Sequence, residues 1–270
     1  MYPEIKKFQN LDKINGLEIV NLGTGFGYYD FDYKDIKACT FNFALPRQSL
    51  QFDYKLLVNY YKKLKTGCTV CVVLPYFIFC ADFFKELEVL YERYYSILPR
   101  AEVEGYTCTS YSMYMDKLKG NSIAEETELL TSISGEKMEI QVNESIEDWK
   151  KTLNIADFLS GELSEHIIIE IQKTRKRLDD ILKFCIIHQF NPIIIVPPMS
   201  QLLLDKISIE FRKTHFYDVL YETVGNNFPI LDYTENKKYC NSKLYGCSVF
   251  LTKSAAREFT RDIVAKIEKL

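Results

Sequence analysis

Three groups of residues in this sequence have types and spacing suited to chemistry. The first is Gly23-Thr-Gly25-Phe-Gly27, directly after the apolar run Leu17-Glu-Ile-Val-Asn-Leu22. Glycines at alternate positions after a strand let the backbone approach a phosphate or another ligand closely. The second is Cys68-x-x-Cys71, half of a zinc-binding set. No second such pair exists, and these thiols open an apolar strand on which positions three apart face opposite sides. Both are therefore read as small core hydrophobes. The third is a scatter of acids, bases and nucleophiles. Asp30 and Asp32 read as a turn and helix cap. Lys173, Arg175, Lys176 and Arg177 read as the solvated face of a helix. His166, His188 and His215 fall on helices, none at the end of a strand. Thr24 and Cys247 offer a hydroxyl and a thiol, yet a nucleophile needs a base within hydrogen-bond reach, and neither has one from the expected loop.

The elements that must position these groups alternate. Leu17–Leu22 is a short apolar run that reads as a buried strand, and 38–43 as a second strand. Tyr54, Leu57, Val58, Tyr61 and Leu64 follow helical spacing, with Gly67 at the expected end. The segment 69–74 is a third strand, and 83–97 is helical in pattern. The stretch 101–148 is less regular and reads as a surface excursion. A long helix is expected over 162–189, with Ile167, Ile171, Thr174, Leu178, Ile181 and Cys185 inward. Ile193–Val196 is apolar on both faces, as in the middle of a parallel sheet. Pro197-Pro198 is a stop after it and a candidate cis element. A helix over 211–224, a strand over 229–233 and a final helix over 254–270 complete the pattern. Five strand–helix repeats predict one α/β domain over residues 1–270, a three-layer sandwich on a mainly parallel five-stranded sheet.

Composition removes several function classes. The 270 residues carry 34 Lys and Arg against 37 Asp and Glu, a formal net charge of −3. A nucleic-acid binder usually shows a basic excess. The start, MYPEIKKFQN, has no apolar core of a signal peptide, and the longest apolar run, 70–81, is too short to span a bilayer. A cytoplasmic protein without disulfides, cofactor or metal is expected, despite an even count of eight Cys.

In open α/β sheets ligands bind outside the carboxyl ends of the strands. The ends visible here are Gly23–Gly27, Asn42-Phe-Ala-Leu-Pro-Arg47-Gln48-Ser49, Pro75-Tyr76-Phe77, Pro197–Ser200 and the loop from Asp232 to Phe250. In order and spacing the chain resembles the SGNH, or GDSL-type, hydrolase superfamily. It is most similar to bacterial members with Gly-Ser-Ser at the first loop and Asn-Leu-Ala-Leu-Pro-Gly-Gln-Ser-Leu at the second. The matching residues are Gly23-Thr24-Gly25 and Asn42-Phe-Ala-Leu-Pro-Arg-Gln-Ser-Leu50, with an apolar aromatic third loop, Leu74–Phe79. The segment Cys247-Ser-Val-Phe250 stands where such proteins carry Asp-x-x-His. The run Ile19–Gly27 also resembles the first motif of S-adenosylmethionine-dependent methyltransferases, but Asn21 and Phe41–Leu45 lack the acids expected there.

The hydrolase resemblance implies a flavodoxin-like fold, a Ser nucleophile, a His base, an orienting Asp and oxyanion donors from the second and third loops. Position by position, the chain departs from it. Gly25 stands at the nucleophile, Cys247 at the Asp, Phe250 at the His, Arg47 at the second-loop Gly and Phe77 at the third-loop Asn. The implied function is a pseudoenzyme that binds a small molecule, glycan or acyl ligand, or a protein partner, through Thr24, Gly25, Asn42, Arg47, Gln48 and Tyr76. The resembling subgroup is often associated with bacterial surface-polysaccharide and acyl-group metabolism. An ester hydrolase or O-acyltransferase using displaced residues is the first alternative, and an S-adenosylmethionine-dependent methyltransferase the second. Phe250 and Cys247 are expected as buried packing residues in the place of the lost dyad.

Overall fold

The structure, a computed structural model, describes residues 3–80, 88–103, 105–113, 131–133 and 135–270. Five parallel strands form one sheet: β1 (Leu17–Leu22), β2 (Thr40–Asn42), β3 (Leu64–Val73), β4 (Asn191–Val196) and β5 (Ile230–Asp232). Their order is β2-β1-β3-β4-β5, with every neighbouring pair parallel. The chain leaves β1 for one edge and returns past it to β3. The strand order therefore reverses between β1 and β3, the place where ligands bind in doubly wound sheets.

The strands form because their apolar residues are buried on both faces. Val20, Leu22, Val70, Val72, Ile194 and Ile195 are wholly inaccessible. Parallel strands need crossovers, and the helices between them supply these. They are α1 (Gly25–Tyr29), α2 (Leu50–Tyr60), α3 (Gly135–Leu153), α4 (Glu165–Ile187), α5 (Gln201–Leu204) and α6 (Ile209–Arg212). A π turn, Lys213–Tyr217, leads on to α7 (Asp218–Val224), and α8 (Lys253–Ile267) ends the chain. On one side α4 packs against α2, α7 and β4. On the other, Phe259 of α8 meets Phe31 and Tyr233, and Thr260 accepts the Asp32 N–H at 2.9 Å. The result is a three-layer α/β sandwich. Among the described residues no helix is long and apolar enough to cross a membrane.

Several sequence expectations change. Leu64 and Gly67 belong to β3, not to the end of α2. Gly67, at φ 78°, lies where β3 shifts register against β1 and is tied to Gln189 and Asn191. Helix α2 buries Phe52, Asp53, Leu56 and Leu57, a face rotated from the expected one. The predicted helix over 83–97 lies partly outside the described residues, and Glu88–Ser96 is 3₁₀ helix. The expected excursion ends in an ordered helix, α3, which buries Met138, Val142, Ile146 and Leu153. That stripe holds one apolar residue per turn, too thin to stand out beside its Glu and Lys. Pro197 and Pro198 are trans, since no described peptide bond is cis.

Gly23 closes β1 at φ 132°, and a Cβ there would lie 3.0 Å from the Val73 carbonyl oxygen. Gly23→Ala is expected to lose about 2–3 kcal/mol through backbone strain and this contact. Urea unfolding against wild type measures it.

Candidate functional site

A cleft of about 790 Å³ opens over the carboxyl ends of β1, β2 and β3, at the reversal of strand order. Thr24, Gly25, Arg47, Gln48, Phe77 and Phe250 line it, drawn from four of the loops singled out by sequence. Asn42 and Tyr76 do not. The Asn42 amide donates to the carbonyl of Gly27 at 2.8 Å and its oxygen takes the Ala44 N–H at 2.9 Å, so both ends serve the scaffold. Beside it, the Asn21 amide reaches the same Gly27 carbonyl and the Asn42 oxygen. Tyr76 is buried behind the lining, its ring edge-on to Phe77 at 4.9 Å.

Beneath the floor lies Asp53 of α2, fully buried. One carboxyl oxygen accepts the Gly23 N–H at 2.7 Å and the Gln48 amide at 2.5 Å, joining the first loop to the second. Tyr94 donates to the Gln48 oxygen at 3.1 Å, and Arg93 donates to the Tyr94 hydroxyl at 3.1 Å. Tyr94 also stacks on Phe52, ring centres 3.9 Å apart. Burial pushes the Asp53 carboxyl up to about 7, against the opposing pull of its Gln48 and Gly23 bonds.

The second loop turns at Leu45-Pro46-Arg47-Gln48, closed by the Gln48 N–H on the Leu45 carbonyl at 3.1 Å. Pro46 in second place and a positive φ of 55° at Arg47 define a type II turn. That turn favours glycine in third place, so Arg47 holds its conformation at a cost of about 1 kcal/mol. Its side chain is exposed at the cleft.

The last loop carries Phe250 over the first. Leu251 N–H donates to the buried carboxyl of Asp30 at 2.9 Å, and Gly246 N–H to the Phe250 carbonyl at 3.0 Å. Burial holds the Asp30 carboxyl well above the usual range. Asp30 ends α1 through its backbone N–H on the Phe26 carbonyl and not through its side chain, unlike the cap its spacing predicts, whereas Asp32 takes the Lys34 N–H in a turn. The Phe250 ring packs against Tyr29 at 4.7 Å and edge-on to Phe26 at 5.2 Å. A Cβ on Gly25 would lie 2.6 Å from its Cζ, so ring and bare backbone fit only together. Phe250 is half-buried rather than buried, because its outer face forms part of the cleft wall. Cys247, also half-buried, accepts the Phe250 N–H at its sulfur, 3.3 Å away, and is not among the lining residues. Burial raises its thiol, opposed by the Val249 and Phe250 N–H bonds.

The opposite wall was not anticipated. It comes from α3 and α4 and includes Trp149, Ser145, Lys173 and Arg177. Trp149 stacks obliquely on Phe77, ring centres 4.9 Å apart, and Ser145 bonds Ser248 at 2.8 Å. Lys173 and Arg177 therefore face the cleft as well as solvent. The signal was present in the lone Trp of the chain and in the i, i+4 repeat Met138, Val142, Ile146.

None of the three His reaches the cleft. His215 is buried on the π turn, stacked on Phe211 at 3.9 Å, and burial lowers its pKa. His188 packs on Phe184, and His166 is exposed. All eight Cys are free; burial raises Cys68 and Cys71, the latter to about 12. No group among the described residues is arranged to hold a metal. No protein-family model matches the chain, and no curated protein matches it.

Two outcomes are expected. Phe250→Ala should lose about 1–2 kcal/mol, less than the ~3–5 of a fully buried Phe, in urea unfolding. Asp53 should impose a pH dependence. The folded chain keeps its proton until about pH 7, whereas the unfolded chain releases it near 3.9. Stability should therefore fall as pH rises through this window, by up to about 1.4 kcal/mol per unit, and level off above it. Asp53→Asn, which keeps the acceptor for Gly23 and Gln48, should flatten that slope in unfolding curves at pH 4.5, 6 and 7.5.

Proposed function

We propose that the chain is an SGNH-like protein that binds a small ligand in the cleft without hydrolysing it. The observation that carries this reading is the contact of Phe250 with Gly25. At the position where the resemblance puts a nucleophile, the backbone has no side chain, and an aromatic ring fills the space that one would need. Acyl transfer asks for a hydroxyl, a base and a group that orients the base. The cleft offers Thr24, Ser49, Ser145, Thr152 and Thr174 as aliphatic hydroxyls and no imidazole. The displaced-residue alternative would fall to Thr24 or Cys247. Thr24 has no imidazole in the lining, where the two carboxylates, Glu170 and Asp148, stand beside Lys173 and Lys151, and burial raises the Cys247 thiol above its ordinary range.

What remains suits binding. The cleft is of ordinary ligand size, sits at the reversal of strand order, and combines aromatic faces with a small set of polar groups. The wall of strand-end loops is held from below by Asp53 and from the side by Asp30, so this part of the site is preformed. Preorganisation of this kind lowers the cost of binding. A glycan or acyl-bearing ligand follows from the resemblance alone.

The expected result is no turnover of p-nitrophenyl acetate above a heat-denatured control. Gly25→Ser combined with Phe250→His and Cys247→Asp should stay inactive, because Arg47 still occupies the oxyanion turn. Clear turnover by the wild type, abolished by Thr24→Ala or Cys247→Ala, overturns the reading in favour of a displaced nucleophile.

A further inference from the structure

We infer that the cleft selects a ligand bearing a phosphate or carboxylate on a hydroxylated ring, with Arg47 as the residue that reads the anion. The inference rests on the binding reading above and adds the ligand's chemical class. Four cations line the cleft, Arg47, Lys151, Lys173 and Arg177, against two carboxylates, Asp148 and Glu170. An excess of positive charge thus gathers in one concavity of a chain whose formal net charge is −3. Such a concavity focuses its field on incoming anions.

The four cations are not equivalent. Lys173 is paired with Glu170 at 2.8 Å, Lys151 lies 3.9 Å from Asp148 and Arg177 3.5 Å from Asp180. Arg47 has no hydrogen bond or ion pair among the described residues. It also occupies the one place in its turn where glycine is the unstrained choice. An exposed arginine held in the left-handed region, with no hydrogen bond or ion pair among the described residues, gives the turn no stability that glycine would not give. Its planar fork is suited to grip two oxygens of a phosphate or carboxylate at once. Strained residues of this kind cluster at ligand clamps.

The remainder of the cleft describes the rest of the ligand. Trp149, Phe77, Phe250 and Tyr29 offer ring faces. Thr24, Ser49, Gln51, Ser145, Thr152 and Thr174 place hydroxyl and amide groups between them. Faces with interspersed neutral polar groups match a ring with hydroxyl substituents better than a bare alkyl chain.

Trp149 is the only Trp of the chain and stands in this wall, so its emission reports on the cleft. The test is a fluorescence titration of the full chain with glucose 1-phosphate, glucuronate and methyl glucoside. At least one of the two anions should bind tenfold or more tightly than methyl glucoside, and that preference should shrink as salt is raised. Arg47→Gly should cost at least tenfold for that anion and leave methyl glucoside unchanged. It should not lower the thermal midpoint, because glycine suits the turn, so lost binding cannot be ascribed to unfolding. Arg47→Lys, keeping charge without the fork, should fall between. Equal affinity for all three probes, no response to either anion, or wild-type anion binding by Arg47→Gly each overturns the inference. Tight binding of methyl glucoside alone overturns the anion class and leaves non-hydrolytic binding standing. Release of nitrophenol in the ester assay removes the binding-only reading and leaves anion preference to the titration.

Discussion

A single buried carboxyl holds the ligand-facing end of this fold together. Asp53 projects from α2 to the loops that follow β1 and β2, where it takes the first N–H after β1 and the amide of Gln48 on the same oxygen. Two loops that have no sheet hydrogen bonds between them are thereby fixed to one atom. The Asn42 amide on the Gly27 carbonyl is a second tie between the same loops. Gln48 in turn orders Tyr94, Tyr94 orders its stacking on Phe52, and Arg93 closes the chain. A charged carboxylate in that place would be expensive to bury, and its proton affinity rises accordingly. The network is thus a neutral polar strut at low pH and an increasingly strained one above neutrality.

Against this rigid base, the pairing of Gly25 with Phe250 is a matter of volume. A polar dyad buried beside the first loop needs a partner for each nitrogen and oxygen. A phenyl ring and a thiol need few, and the ring settles on the space that a missing side chain leaves. Asp30 shows the same economy from the other direction. It keeps one bond, to Leu251 N–H, and that bond sets the height of the Phe250 loop above the sheet.

How much of this the sequence discloses depends on the kind of force involved. Strand positions were readable because uninterrupted apolar runs such as Ile193–Val196 have no alternative to burial on both faces. Loop identities followed, since each strand end in a parallel sheet points to the same edge, and Thr24, Gly25, Arg47, Gln48, Phe77 and Phe250 indeed meet there. Asn42 and Tyr76 did not, because a residue adjacent to a loop can spend its polar atoms inward, which spacing alone does not reveal. Asp53 was missed for a related reason: an acid on the buried face of a helix looks like any surface acid until its neighbours are known. Helix α3 was missed because a stripe of one apolar residue per turn is hidden among eight charged residues in nineteen.

The cleft's two walls come from different parts of the chain. One is made of strand-end loops, tied to the sheet by Asp53 and Asp30. The other is α3 with the first half of α4, from the connection between β3 and β4, which touches the first wall through Trp149 on Phe77 and Ser145 on Ser248. The sheet does not depend on what that connection displays, only on its returning at β4. Replacements along the cleft-facing side of α3 can therefore redraw the ligand's outline while the strands and their loops stay in register. The architecture separates a slow-changing floor from a freely editable rim, so relatives with the same sheet are expected to diverge first in this connection.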